Sequence, residues 1–283
     1  MPARLFFILL SILWAAFVKQ PIILADSHRP AEGRVGCPRC AEDGSENSRL
    51  LQKADALYSD FKPKEALREL LKIPDGDPAH HEALSKISRI YIDFGDMIPE
   101  SEPDGREKRL RQYRMAEQYA RRAIKADPTS TWGHFYVAAS LGKIATESSI
   151  SKQIDLAQEI QTEVEKAIRL DPQNGYAYHV YGVWHRRVAE IGQTKRLLTS
   201  VFLRRSIPKG NMEKSVEYLT KAVSLNPTVI VHRLELAKTH MAVGNSELAR
   251  SSLKAVQQLP IRLSDDPIHK KEAEQLLLEI KAR

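Results

Sequence analysis

A spacing of small residues that recurs between Gly175 and Pro260 constrains this chain more than any other feature. In the clearer of two copies, Ala237 is followed by His240 three residues on, Ala249 twelve on, Leu253 sixteen on, Val256 nineteen on and Pro260 twenty-three on, with Gly244 and Asn245 marking a turn. Small residues let two antiparallel helices approach closely, and larger ones fill the space between them. Proline stops the second helix, because it lacks an amide donor and drives the preceding residue out of the helical region. One such pair leaves an apolar face uncovered, so the pattern requires further copies stacked against it.

Those copies are present. The other copy in this stretch has Gly182 and His185, then Ser215, Leu219, Ala222 and Pro227. Upstream, Ala54, Leu57, Ala66, Leu70, Ile73 and Pro78 form a first copy. Ser88 and Tyr91, with Gly95 at the turn, then Ala116, Ala120, Ala123 and Pro128 form a second. Ala139 and Gly142, then Ile160, Val164, Ala167 and Pro172 form a third. In the first four, twelve residues separate the leading position of the second helix from its proline. The leading positions of the two helices stand twelve apart in copies one and five, but 28, 21 and 33 apart in copies two, three and four, so three pairs carry extensions at their internal turn. This is tetratricopeptide spacing. After Pro260, Asp265, Asp266 and Pro267 signal another helix start, and Ile268, Leu276, Leu277 and Ile280 amid charged residues describe a closing helix. The reading is all-α: a right-handed α-solenoid of five tetratricopeptide-like helix pairs with a C-terminal capping helix, over residues 48–283.

Composition suits this: 28% charged and 42% hydrophobic residues with only 13 glycines in 283 describe a helix-rich chain able to bury a continuous core. The formal charge of +7, which includes Arg4 and Lys19 ahead of the repeats, falls short of a nucleic-acid footprint, so no nucleic acid is expected as a partner. Residues 1–25 combine a charged start, an uncharged run from Leu5 to Val18, and Ala25 before Asp26. They read as a secretory signal peptide or as an uncleaved membrane anchor, which exports the body to a periplasmic or extracytoplasmic space or tethers it to a membrane. Residues 26–47, polar and punctuated by glycine and proline, read as a flexible linker. The linker holds both cysteines, Cys37 and Cys40. With no second cysteine pair and no strand–helix context, they read as a local disulfide or inert thiols, a redox or metal role being the other reading.

No His-Glu-x-x-His, Gly-x-Ser-x-Gly or phosphate-cradling glycine loop occurs. No catalytic residue, metal ligand or cofactor is therefore assigned, and the chain is read as a non-enzyme. His80 and His81, near a helix start, are expected in solvent. His185 and His240 are expected to pack inside their pairs with one nitrogen bonded. His179 and His185, six residues apart, are expected on different faces of one helix.

Stacked pairs expose their first helices along a concave groove. Counting along each first helix places Arg89, Tyr136, Ser140, Lys143, Tyr176, His179, Val183, Arg186, Leu234 and Lys238 there. The polar members are cationic or neutral, so the expected partner is a protein carrying an acidic or carboxylate-bearing segment. A second candidate surface is the basic extension 193–211. In it Lys195, Arg196, Arg204, Arg205 and Lys209 accompany Phe202 and other apolar residues with no acidic residue. A basic amphipathic helix of this kind can lie on an anionic membrane surface, and in the alternative reading the groove and this extension form a lipid-binding module. The run Arg106, Lys108, Arg109, Arg111 and Arg114 reads as a solvated helical face.

Pairs four and five carry the run Tyr178-His179-Val180-Tyr181-Gly182-Val183-Trp184, then a long extension through Phe202 and Pro208. Ala222-Val223-Ser224-Leu225-Asn226-Pro227 follows, and Leu259-Pro260 closes the last pair. In these features the chain resembles the regulator of microtubule dynamics family, over roughly residues 49 to 280. The resemblance implies an all-helical repeat protein without an enzymatic site, which associates with microtubules or organelle membranes.

Overall fold

The computed structural model describes residues 45–190, 208–263 and 266–282. The segment 1–25, the cysteines Cys37 and Cys40, and the basic residues Lys195, Arg196, Arg204 and Arg205 with Phe202 lie outside the described residues.

Eleven helices are described: α1 (Glu46–Ser59), α2 (Pro63–Leu70), α3 (His80–Asp96), α4 (Gly105–Ala126), α5 (Thr131–Thr146), α6 (Ile150–Leu170), α7 (Gly175–Ala189), α8 (Met212–Leu225), α9 (Ile230–Ala242), α10 (Ser246–Gln258) and α11 (Asp266–Ala282). They form five consecutive pairs and a closing helix, each pair packed on itself and on the next. The result is the helical solenoid that the spacing demands.

Local chemistry sets the helix ends. Ser45, Ser130, Asn174 and Asn211 each accept from the backbone amide of the third residue of α1, α5, α7 and α8, satisfying a donor that the first turn leaves unpaired. Asp127 and Asp171, each ahead of a proline, adopt extended backbone at φ −142° and −139°, which ends α4 and α6. Pair one departs from the expected punctuation. α2 stops at Leu70, ahead of Pro74, and Pro78 stands instead at the entrance to α3, where the Asp77 carboxylate accepts from the Ala79 amide at 2.8 Å.

The repeating small residues lie at the crossings. Ser88 is fully buried, and its hydroxyl donates to the Ala116 carbonyl at 2.8 Å. A Cβ at Gly182 would come within 2.6 Å of the Leu219 side chain, so only glycine permits this approach of α7 to α8. Gly95 is not in a turn, as the spacing suggested, but inside α3. The Tyr113 ring occupies the space its side chain would fill, 2.3 Å from an added Cβ. The extension of pair two is absorbed by lengthening α3 to Asp96 and running α4 for 22 residues.

The hydrophobic spine is not uniform. One cluster runs through α3 to α7 and reaches the start of α9 through Val229 and Val231, a second joins α1 and α2 to α3, and a third is confined to α9, α10 and α11. Between pair four and pair five, Val183, Leu219 and Leu236 form a small cluster of their own. In α11, Ala273 and Ile280 face the core, while Ile268, expected there, is exposed.

Candidate functional site

The face expected to be an open cationic groove is buried. Arg89, Tyr136, Ser140, Lys143, Tyr176, His179, Val183, Arg186 and Leu234 are all inaccessible, and Lys238 keeps 9% of its side chain exposed. A charge removed from water needs a partner, and the chain supplies its own. Between α3 and α5, Lys143 Nζ donates to both Asp96 oxygens at 2.8 and 2.7 Å, with side-chain exposures of 1% and 5%. The Tyr113 hydroxyl, from α4, donates to the same carboxylate at 2.7 Å. Burial and the Asp96 charge raise the Tyr113 phenol well above its ordinary range, so it remains a donor. At the margin Arg109 grips Glu147 through two bonds of 2.6 and 3.1 Å, and Arg106 Nε donates to the Glu147 carbonyl at 2.8 Å. Arg89 lies over the Tyr58 ring, 3.6 Å from its centroid.

A second cluster joins α7, α9 and α11. Glu235 of α9 accepts from Arg186 of α7 and, at 2.7 Å, from Lys238; Lys238 also meets Glu272 of α11 at 2.8 Å. Arg186 pairs with Glu190 at 3.6 Å. Burial alone would raise the Glu235 carboxyl, but Lys238, Arg186 and Arg187 hold it well below the usual carboxylate range. Thus Lys143, Arg186 and Lys238, the cations expected to hold a partner's carboxylate, hold Asp96, Glu235 and Glu272 instead. Those acids were absent from the sequence-based set. Glu235 stands three residues before Lys238 on one helix, a spacing that could have flagged the pair. Asp96 and Lys143 are 47 residues apart, and nothing local links them.

The histidines divide by environment. His134 has both ring nitrogens facing oxygens, Nδ1 at 2.6 Å from Glu163 and Nε2 at 3.2 Å from the Pro128 carbonyl. His185 packs among Tyr181, Trp184 and Tyr218, as expected of an interface residue, but neither ring nitrogen is hydrogen-bonded. Burial and then Lys214 push it down to about 4. His179 faces α9, stacked on His232 at 4.8 Å. His80 is buried, not solvated, and meets Asp75 at 2.8 Å.

The exposed cations lie on the outside. Arg106, Arg111, Arg114, Arg121, Arg122 and Lys125 are exposed along α4, where Glu107 is the sole exposed acid. Arg121 pairs with Glu117 and Glu159, and Arg122 with Asp75 at 3.5 Å. Arg114 and Lys125 make no ion pair among the described residues. Among those residues no group of three or more His, Cys, Asp or Glu is placed to hold a metal ion, and no helix is long and apolar enough to cross a membrane.

Fold and surface together define a tetratricopeptide-type helical repeat protein, a protein-interaction scaffold. A thermophilic TPR protein of Thermus thermophilus superposes with a TM-score of 0.58 at 16% identity, covering 81% of this chain and 99% of that one. That likeness concerns the fold alone. The chain belongs to the family described as Regulator of microtubule dynamics protein 1-3, which it matches over residues 50–281. It is 28% identical over 229 residues to the Bos taurus regulator of microtubule dynamics protein 1, covering 81% of this chain and 70% of that protein. It is 25% identical over 232 residues to the Rattus norvegicus regulator of microtubule dynamics protein 3, covering 80% of this chain and 48% of the relative.

Proposed function

We propose that this protein is a non-catalytic scaffold that docks an acidic segment of a protein partner along the outer face of α4. The observation that carries the reading is a contrast in charge pairing. The inner-face cations Lys143, Arg186 and Lys238 already hold carboxylates of this chain, whereas α4 presents six exposed cations against one exposed acid. A single surface ion pair contributes on the order of 0–1 kcal/mol, so no one arginine would dominate. A row of like charges instead raises the local concentration of an oppositely charged partner and speeds its encounter, in a salt-dependent way. The relatives are named as regulators of microtubule dynamics, which makes the microtubule the first assembled partner to try. The uncharged run within residues 1–25 supports export or membrane tethering of the helical body as part of the same proposal.

Anisotropy of a labelled glutamate-rich peptide, read at about 50 and 300 mM salt, tests the docking face over a range where screening changes strongly. The expected result is binding that weakens with salt and falls at least tenfold in the Arg111→Glu, Arg114→Glu double variant. Binding that survives the double reversal unchanged, or transfers to anionic vesicles in a flotation assay with no peptide competition, would overturn it.

A further inference from the structure

The joint between pairs four and five is built around a contact that the docking proposal does not use. His179 of α7 and His232 of α9 stack with ring centroids 4.8 Å apart and planes inclined by 26°. Their exposures are 1% and 0%. Three of their four ring nitrogens have no hydrogen-bond partner, and the fourth, His232 Nδ1, lies 3.3 Å from the Ala222 carbonyl at the end of α8. Tyr176 meets His232 edge-on at 5.1 Å, and from α5 the Trp132 and Phe135 rings pack against Tyr176. The charged groups that act on His179 are Arg186 on α7, Glu235 and Lys238 on α9, and His269 on α11. Glu190, just past the end of α7, pairs with Arg186, Glu272 of α11 pairs with Lys238, and Arg187 follows Arg186 on α7.

We propose that this stack is a proton-controlled joint: it holds α9, α10 and α11 against α7 while both imidazoles are neutral, and it releases them in mild acid.

Burial sets the direction. A neutral imidazole can stack in an apolar gap, but a proton would place a cation there, with no acceptor at His179 and the Ala222 carbonyl facing only one nitrogen of His232, beside a second ring that also takes protons. Arg186, Lys238 and His269 oppose that charge, while Glu235, already held by two cations, favours it. His179 is accordingly pushed down to about 4, by burial first, and His232 falls well below the ordinary imidazole value, by burial and then by His179. Opening the joint returns both rings to water, where each binds a proton near pH 6.5. The open state thus takes up protons that the closed state refuses, so closure is favoured above pH 6.5 and weakens as pH falls toward about 4. The apolar spine reinforces the location. The core cluster of α9, α10 and α11 is separate from the main one, and apolar packing crosses the joint through the small Val183, Leu219, Leu236 cluster and through Val229 and Val231 at the start of α9, which belong to the main cluster.

Hydrogen–deuterium exchange on the full chain, corrected for the intrinsic pH dependence of exchange, tests this. From pH 7 to pH 5 the opening equilibrium of α9, α10 and α11 should rise roughly twenty-fold from His179 alone, while α5 and α6 keep their protection. The His179→Phe, His232→Phe double variant should lose that pH dependence. Carbon-13 labelling of the histidine rings in the unaltered chain keeps the test independent of whether the variant folds, since both rings should stay neutral at pH 5 in the closed state. The proposal is overturned if the three helices are equally protected at both pH values, if the double variant retains the dependence, or if the rings take protons near pH 6.5 without any loss of protection. Peptide binding on α4, measured at pH 7, does not depend on this joint, so failure of one proposal leaves the other standing.

Discussion

Two joints between first helices, α3 with α5 and α7 with α9, answer the same problem differently. Both bury cations on the inner face of the solenoid, and at both a carboxylate crosses between neighbouring first helices, Asp96 of α3 to Lys143 of α5 and Glu235 of α9 to Arg186 of α7. At α3–α5 one acid, Asp96, takes two donors, Lys143 and Tyr113. At α7–α9 the acid Glu235 is shared by Arg186 and Lys238, each of which has a second carboxylate, Glu190 or Glu272, and two neutral imidazoles fill the remaining gap. The first joint concentrates its electrostatics in one carboxylate; the second spreads them and adds imidazoles whose protonation is tied to opening.

The sharpest way to break this comparison is to delete each acid. Asp96→Ala removes the carboxylate that both Lys143 and Tyr113 donate to, and should cost about 4 kcal/mol in chemical denaturation, the range seen when one member of a buried pair is lost. Glu235→Ala should cost less, about 3 kcal/mol, because Arg186 and Lys238 keep their second carboxylates. If the order is reversed, the backup carboxylates are not sharing the load and the contrast between the joints fails. A smaller effect comes from pH. His179, pushed down to about 4, should lower stability by about 2 kcal/mol between pH 7 and pH 5 through proton uptake by the unfolded chain. Glu235 adds nothing in that window. A depressed carboxyl stabilises above its ordinary value of 4.5 and loses that contribution only as pH falls below it. A denaturation midpoint flat from pH 7 to 5 would show that the imidazoles take no part. The smallest expected change is Ser88→Ala, about 1 kcal/mol for one buried hydrogen bond from the hydroxyl to the Ala116 carbonyl, measured against an unchanged m-value.

Much of the fold could be read from local chemistry. Ala54 with Ala66, Ser88 with Ala116 and Ala237 with Ala249 mark crossings because only small side chains let helices approach so closely, and that demand leaves a trace at fixed intervals. Prolines 128, 172, 227 and 260 end helices for a reason internal to the backbone, and the structure follows them. Pro78 misled because Pro74 had already stopped α2, and a spacing template does not rank two prolines. Gly95 misled because a glycine near a helix end reads as a turn, whereas here it makes room for Tyr113, eighteen residues along the chain.

The inner face shows where such reading stops. Periodicity placed Lys143, His179, Arg186 and Lys238 on one side of their helices, since direction around a helix follows from 3.6 residues per turn. Whether that side meets water is a property of neighbours. Asp96 finds Lys143 across 47 residues and Glu235 finds Arg186 across 49, and only the packing of one pair on the next brings them into contact. Sequence alone thus determined the helices, their pairing and the stacked class of fold, because those follow from short-range sterics. The tertiary structure alone decided that the inner cations are already matched, that His179 and His232 share a dry interface, and that α4 carries the exposed charge, because desolvation and ion pairing depend on what three dimensions place alongside.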